Sequence, residues 1–197
     1  INGYADDPAA SLQKGIELAQ EAVAMDDEEP TAHVALGMAY GWMHKLDEAE
    51  TEIRRGLELL PGSADLMQAL ISVQIYKGQP TEALETIKAA MTRDPHYNDF
   101  ILQFKADAQV SLRDFAGAVT TLYERIARNP QSETAYGLLA SCLGHLDDAE
   151  GAQKAWKRAT RLNPNFTVER RRRMQPFQDP ADFELRVEGL RKAGIPV

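Results

Sequence analysis

Apolar positions along the chain fall into pairs of helical stripes that repeat. Between residues 30 and 164 the same order of small and large side chains returns four times, and each cycle ends in a proline. These prolines recur at a nearly constant spacing, at Pro61, Pro95, Pro130 and Pro164. Because apolar residues three and four positions apart share one face of a helix, each cycle predicts two helices joined by a turn.

Small residues mark where the paired helices are expected to cross. The second helix of each cycle carries a small residue, then a bulky one, then a third residue that is small in every cycle but the third. These residues are Ala49, Ile53 and Gly56, then Ala83, Ile87 and Ala90, then Ala118, Leu122 and Arg125, then Ala152, Trp156 and Ala159. The first helix carries Leu36, Gly37 and Tyr40, then Leu70, Ile71 and Gln74, then Lys105, Ala106 and Gln109, then Leu139, Ala140 and Leu143. Helices approach to about 8–10 Å only over small side chains. A bulky residue there costs about 1–3 kcal/mol.

This arrangement resembles the tetratricopeptide repeat, a helix-turn-helix unit of about 34 residues. Residues 31–61 and 136–164 match nearly every signature position. The third cycle departs at Lys105, Gln109 and Arg125 and has one extra residue. The resemblance implies an all-α protein, a right-handed superhelix of stacked helix pairs with C-terminal capping helices, because one repeat cannot bury its apolar face alone.

The domain organisation follows from the same pattern. We expect a partial first repeat in residues 1–29, with Asp7 capping a helix that opens at Pro8 and Leu12 in its apolar stripe. Four helix pairs follow in residues 30–164, at 31–43 with 47–60, 64–76 with 80–92, 98–111 with 115–128, and 133–145 with 148–161. Residues 165–197 hold two capping helices, the second beginning at Asp179 and ending at Gly194. Together these parts are predicted to form one continuous solenoid domain.

The C-terminal tail carries a second resemblance. Residues 166–197, with the sequence FTVERRRRMQPFQDPADFELRVEGLRKAGIPV, and the segment DPHYNDF at 94–100 resemble the C-terminal region of bacterial class III adenylate or guanylate cyclases and related regulators. In those proteins a catalytic or DNA-binding domain precedes the repeats. The resemblance implies a non-catalytic regulatory domain of a bacterial signalling protein. The chain begins at Ile1 rather than at methionine, and we expect it to be part of a longer protein.

Composition excludes several classes of function. The net charge of −8 argues against general nucleic-acid binding, which needs a basic face to displace counterions. The single cysteine, Cys142, cannot form an internal disulfide, and its apolar neighbours predict a buried, inert thiol. The sequence lacks an apolar run long enough to cross a bilayer, so we expect no membrane insertion by this chain. A cytoplasmic location is predicted, with the periplasm left as the alternative.

The sequence lacks the common catalytic motifs. It has no glycine-rich phosphate loop, no nucleophile elbow and no pair of histidines at helical spacing for a metal. We therefore expect no catalytic residue, metal or cofactor in this chain, although the parent protein could be a nucleotide cyclase. The alternative is that the chain contributes residues to the active site of a preceding catalytic domain.

A partner-binding groove is implied by the family, whose first helices line the concave side. The positions expected to face it are Val34, Met38, Trp42, Gln68, Ser72, Tyr76, Phe100, Gln103, Asp107, Gly137, Ser141 and His145. They are mostly apolar, aromatic or uncharged, without the cations that would grip a carboxylate. A hydrophobic peptide, a helix of the parent protein or a second copy fits better, with Trp42 and Tyr76 as candidate anchors. Alternatively, Trp42 and Phe100 pack between repeats.

Four successive arginines form the densest basic feature, at Arg170, Arg171, Arg172 and Arg173. Four residues in a row wrap a whole helical turn, so they cannot all face one ligand. They are expected to form a solvated face with partial pairing to acidic helices. The sharper hypothesis is that they contact the acidic residues 26–29 of another copy and favour head-to-tail association.

Overall fold

The structure, a computed structural model, describes residues 8–197, with side chains from residue 13 onward. This part of the chain forms eleven helices and no strand. They are α1 (Pro8–Met25), α2 (Pro30–Trp42), α3 (Leu46–Leu59), α4 (Ala64–Tyr76), α5 (Pro80–Arg93), α6 (Phe100–Ser111), α7 (Phe115–Arg128), α8 (Glu133–His145), α9 (Ala149–Leu162), α10 (Val168–Met174) and α11 (Pro180–Lys192). The bounds of the predicted helices are confirmed to within two residues at each end. The expected cap at Asp7 and the Leu12 side chain lie outside the described residues.

The chain divides into two compact units, residues 1–73 and residues 74–197. In the first unit, α2 packs against both α1 and α3. In the second unit, neighbouring helices from α5 to α9 pack in sequence order, and α11 packs on α8 and α6. Apart from α11, the helices named here therefore pack mainly on their neighbours in sequence, as the repeat pattern predicts.

The turn inside each helix pair has the same backbone conformation four times. His44, Gly78, Arg113 and Asp147, which follow the same spacing as the prolines, have positive φ angles of 59°, 72°, 60° and 61°. After each of them, an N–H group bonds back to a carbonyl near the helix end, for example Lys45 to Tyr40 at 3.0 Å and Asp148 to Leu143 at 2.9 Å. This is the Schellman ending of a helix, in which one left-handed residue satisfies the final carbonyls. The sequence period is therefore also a period of backbone geometry.

Helix starts are fixed by side-chain caps and prolines. Asp114 and Asp148 each accept a bond from the N–H three residues later, both at 2.9 Å. Ser63 and Ser132 cap the first helices of their repeats, as expected. Asp179 caps α11, where Pro180 occupies the first turn.

Small residues bring α2, α3 and α4 together in the first unit. A Cβ added to Gly37 would lie 2.7 Å from Ile53 Cγ1, and one added to Gly56 would lie 2.8 Å from Leu66 Cδ2. Ala49 and Ile53 are fully buried. The small-residue positions in this repeat therefore mark the close crossings that the sequence predicts.

The acidic residues 26–29 form the boundary before α2. The buried His33 places Nδ1 2.8 Å from Glu52 and Nε2 3.1 Å from the carbonyl oxygen of Asp27. Asp26 accepts a bond from the N–H of Glu28, and Glu29 caps α2 through Thr31. The run therefore supplies local hydrogen bonds as well as charge, and His33 is a packed residue.

The C-terminal helix α11 lies on α8 with direct backbone contact. A Cβ at Gly144 would collide with the carbonyl oxygen of Gly189, and one at Gly189 would collide with that of Ser141. Leu185 and Leu190 join the apolar core that includes Ala152 and Ala155 of α9. The helix α11 therefore covers Ser141 and His145 of α8, two of the positions that the sequence predicted to face a groove.

We predict that Gly144→Ala destabilises the second unit by about 1–3 kcal/mol, because the added methyl group meets backbone that cannot rotate away. The matched control is Gly41→Ala, at the equivalent position of α2, where a Cβ meets no atom within 4 Å. That change should be neutral or stabilising by up to about 1 kcal/mol, because alanine favours a helix. Denaturant unfolding followed by Trp156 and Trp42 fluorescence measures both; equal effects of the two changes would contradict the crossing.

Candidate partner-binding surface

An open apolar face lies on α2 in the first unit. Val34, Met38 and Trp42 follow one another at every fourth position, so they share one side of the helix. Val34 is half-buried, whereas Met38 is 52% exposed and Trp42 is 42% exposed. Gly41 lies between the two exposed side chains, with no described atom within 4 Å of a Cβ built on it. This face has the composition of a contact surface and is uncovered in the described part of the chain.

Two further predicted positions of the first unit lie on α4. Gln68 and Ser72 are both half-buried. The Ser72 hydroxyl donates to the Ala69 carbonyl oxygen at 2.8 Å, within its own helix. Ser72 therefore uses its donor locally.

The predicted anchor Tyr76 belongs to the second unit and is covered by the chain between α10 and α11. Its ring meets that of Phe177 edge to face, with centroids 5.1 Å apart. The backbone N–H of Gln178 donates to the Tyr76 carbonyl oxygen at 2.8 Å. Burial, reinforced by the negative charge of Asp107, raises the pKa of Tyr76 to about 12. Tyr76 is thus an internal contact in this structure.

Predicted groove residues on α8 are contacted by α11 and the segment before α10. The Ser141 hydroxyl donates to the Arg186 carbonyl oxygen at 2.7 Å, and His145 Nε2 lies 2.7 Å from the Leu185 carbonyl oxygen. The His145 ring also stacks on Phe115, with centroids 4.0 Å apart. Phe166 lies directly over Gly137. A helix of the same chain therefore occupies the surface where a partner was expected.

Buried charges fix α11 against α6. Arg186 is 5% exposed and lies 3.3 Å from Asp107, which is itself buried. Asp107 accepts a bond from Gln103 at 3.0 Å, and Gln103 in turn accepts one from Arg125. A buried charge without a partner is costly, so this chain of contacts favours one seating of α11.

Arg125 occupies the position that is small in the other repeats. Its guanidinium bonds to Asp99 at 3.2 Å and to Thr134 at 2.9 Å, and lies 4.9 Å from the centre of the Phe100 ring. Burial lowers the pKa of Arg125, and the neighbouring Asp99 opposes that shift. Phe100 remains 47% exposed. The third repeat thus replaces a small-residue crossing with a polar cluster.

A small cavity of about 50 Å³, partly open to solvent, lies beside α11 in the second unit. Its lining includes Gln103, Asp107, Ser141, Arg171, Phe183 and Arg186. Most of its polar groups already bond to one another, so few of them are left to hold a ligand.

Sequence reasoning missed Arg186 and Phe177 as contacts of the groove residues. Arg186 lies three residues after Phe183 and four before Leu190, so it falls on the apolar face of the predicted helix, and this is the signal that could have marked it as a buried charge. The Arg186 guanidinium lies 4.5 Å from the centre of the Phe177 ring. No periodic pattern places Phe177, because it lies between helices.

The four arginines of α10 divide into two pairs. Arg172 pairs with Glu184, and Arg173 lies 3.7 Å from Glu169. Arg171 lies 5.7 Å from the centre of the Phe166 ring. Within the described part of the chain, neither Arg170 nor Arg171 forms an ion pair with a carboxylate. Arg170 and Arg171 therefore have no described carboxylate as an ion-pair partner.

The remaining candidate chemistry is limited. Cys142 is fully buried, and burial raises the pKa of its thiol to about 12, as expected for an inert cysteine. Among the residues with described side chains, no cluster of three His, Cys, Asp or Glu could hold a metal ion. None of the described helices is both long and apolar enough to span a lipid bilayer.

Comparison with known proteins supports the repeat assignment. The family model described as "Tetratricopeptide repeat" matches residues 133–166, which include α8 and α9. A protein of Rhizobium meliloti (strain 1021), named as a candidate adenylate cyclase, is 41% identical over 46 residues. That match covers 23% of this chain and only 8% of the Rhizobium protein.

Solved structures share the fold at low sequence identity. PilW, described as a widely conserved type IV pilus biogenesis factor, has a TM-score of 0.75 at 16% identity, covering 94% of this chain and 83% of PilW. YrrB, described as a TPR protein with an unusual peptide-binding site, has a TM-score of 0.60 at 17% identity, covering 90% of this chain and 91% of YrrB. PilF of Pseudomonas aeruginosa has a TM-score of 0.63 at 20% identity, covering 85% of this chain and 76% of PilF. Residues 133–166 therefore match a tetratricopeptide repeat, and the described chain shares the all-helical repeat fold of these solved structures.

Proposed function

We propose that this chain is a non-catalytic interaction domain that binds a protein or peptide segment through the exposed face of α2. The observation that carries the proposal is the pair Met38 and Trp42, two large apolar side chains about half exposed on one helix face. Aromatic and methionine side chains are enriched in the cores of protein interfaces. The tetratricopeptide-repeat fold is suited to protein–protein interaction, and one structural neighbour is described as having a peptide-binding site.

The equivalent surface of the second unit is contacted by α11 and is therefore less accessible to a partner than the α2 face. There, Ser141 and His145 contact α11, and Asp107 is paired with Arg186. A partner would have to displace a buried helix to reach them. The open α2 face offers contacts without that cost, so we assign partner binding to the first unit.

We predict that the double change Met38→Ala and Trp42→Ala weakens partner binding by at least tenfold, because anchor side chains at an interface often contribute about 2 kcal/mol or more. A peptide library displayed on phage supplies ligands, whose affinities are then measured by calorimetry. Leu60→Ala is the control, since Leu60 is also an exposed apolar residue of the first unit. Binding that survives the double change, or that falls equally with Leu60→Ala, argues against this surface.

We further propose that the parent is a bacterial signalling protein such as a nucleotide cyclase, with this chain as its regulatory part. The supporting observation is the 46-residue similarity to the candidate adenylate cyclase. The alternative is that the chain completes the active site of a catalytic domain. If the chain is regulatory, the response of the cyclase to a partner depends on α2. If the chain completes the active site, basal turnover depends on α2.

In a parent cyclase, a regulatory role predicts unchanged basal turnover when Met38 and Trp42 become alanine, together with loss of any response to the partner. The physical reason is that exposed side chains on α2 contribute little to folding. Measuring cyclic nucleotide formation with and without partner separates the roles. A fall in basal turnover at unchanged oligomeric state favours the active-site alternative.

Self-association is a second candidate mode of interaction, favoured by the uneven charge. Residues 1–73 contain 14 acidic and four basic side chains, whereas residues 149–175 contain eight basic and two acidic ones. Arg170 is exposed and has no described carboxylate as an ion-pair partner. Opposite charges on separate segments attract a second copy head to tail.

This mode predicts that the mass measured by light scattering exceeds that of a monomer at about 20 mM salt and falls toward it at about 500 mM, because salt screens exposed charges. Arg170→Glu with Arg171→Glu should abolish the association at low salt. Arg54→Glu, an exposed arginine of α3 that pairs with Glu50, is the control for added negative charge. A mass that does not change with salt would contradict the hypothesis that opposite charges drive self-association.

A further inference from the structure

The fourth repeat shows what a first-helix face of this chain binds when it is occupied. There α11 crosses α8 at Gly144, where its own Gly189 brings the two backbones into contact. Bonds from the Ser141 and His145 side chains to carbonyl oxygens of α11 flank this crossing. The ligand of that face is thus a helix with a glycine at the point of contact.

The first repeat has the same feature, and no residue with a described side chain occupies it. The helices α2 and α8 have equal lengths, so their positions pair in order from first to last. Gly41 is therefore the equivalent of Gly144, and Met38 and Trp42 are the equivalents of Ser141 and His145. In the two middle repeats the position of Gly41 holds Ile75 and Val110, both buried. At this position, glycine occurs only in the first and last of the four repeats.

No internal contact of the described residues explains Gly41. A Cβ built there meets no atom within 4 Å, in contrast to Gly37 and Gly56, where small size is required by the neighbouring helix. Glycine in a helix costs about 0.5–1 kcal/mol relative to alanine. An uncompensated cost between two exposed apolar side chains is explained if a partner helix uses the gap. We call Met38, Gly41 and Trp42 the Gly41 notch.

The charge of the first unit adds a property of the partner. Residues 1–73 have ten more acidic than basic side chains, and the segment at residues 26–29 directly before α2 is entirely acidic. A cationic helix would be attracted to this unit, and an anionic one repelled. Large apolar residues on either side of its small residue would contact Met38 and Trp42.

We propose that the Gly41 notch binds a cationic amphipathic helix of a partner protein, which crosses α2 at a glycine or alanine as α11 crosses α8. This inference rests on the proposed function and specifies its ligand. It differs from a general peptide groove because it requires a helix, a small residue at the crossing and positive charge.

The test uses the full chain and labelled model helices. The probe is a helix-forming peptide of about 20 residues, a length chosen because shorter isolated helices are only marginally stable in water. It has a leucine and alanine face, a lysine face, and alanine at the central crossing position. Two variant peptides carry leucine at the crossing or glutamate in place of lysine. Fluorescence anisotropy of the labelled peptide measures affinity at about 50 mM salt, where charge attraction is only partly screened.

The proposal predicts saturable binding of the lysine and alanine peptide, with at least tenfold weaker binding of both variant peptides. Gly41→Leu should also weaken binding at least tenfold while leaving the thermal midpoint unchanged or higher, because leucine fills empty space and favours the helix. Gly15→Leu is the matched control, since Gly15 is exposed on α1 and equally free of contacts. Its affinity should equal that of the unchanged chain.

Three results overturn the proposal. The first is the absence of saturable binding up to about 1 mM peptide, which is the weak end of the measurable range. The others are that Gly41→Leu binds the peptide as tightly as the unchanged chain does, or that the glutamate peptide binds as tightly as the lysine and alanine peptide. Comparison with the Met38→Ala and Trp42→Ala variant separates this failure from that of the proposed function. If the phage-selected ligands lose affinity through that double change but bind Gly41→Leu normally, the α2 face binds partners without a helix crossing at Gly41. If neither change affects those ligands, both proposals fail.

Discussion

Direct contact between helix backbones is the interaction on which this structure depends. Helices of a repeat protein gain stability only by covering one another, and they approach closely only where side chains are absent or small. In the first unit, Gly37 permits this approach beside the Ala49 carbonyl oxygen, and Gly56 makes room for the Leu66 side chain. Gly144 and Gly189 permit it between α8 and α11. The last of these contacts also bears on function, because it lies beside Ser141 and His145, which the sequence predicted to face a partner.

Buried charge gives this arrangement its specificity. Apolar helices can slide or rotate with little change in buried area, whereas Arg186 can meet Asp107 in only one position of α11. The same polar chain continues through Gln103 to Arg125, in the repeat that lacks the small-residue crossing. The third repeat, which departs most from the sequence pattern, therefore supplies the buried carboxylate that pairs with Arg186 of α11. The first unit has no equivalent helix on the described face of α2, which leaves Met38 and Trp42 exposed.

The periodicity of the sequence predicted the helices well, but it predicted less well which helix faces are open to a partner. The helix bounds and the caps at Ser63, Ser132 and Asp179 follow from local rules, since each depends on residues a few positions apart. The covering of Tyr76 and Ser141 depends on contacts with residues 178 and 186, far away in the sequence, which no local pattern contains. The predicted groove positions thus divide into an exposed set, formed by the α2 face and Phe100, and a covered set that includes Tyr76, Asp107 and Ser141. Val34, Met38 and Trp42 remain candidate ligand contacts, and the repeat boundaries remain a prediction.

Hydroxyl-radical footprinting of the full chain tests most directly whether one first-helix face is open while another is filled by α11. After correction for intrinsic side-chain reactivity, Met38 and Trp42 should be oxidised rapidly. Phe177 and Phe183, which are buried between α11 and the repeats, should be protected. Rapid oxidation of Phe183 together with protection of Trp42 would contradict this account, because it would mean that α11 is released and the α2 face is covered.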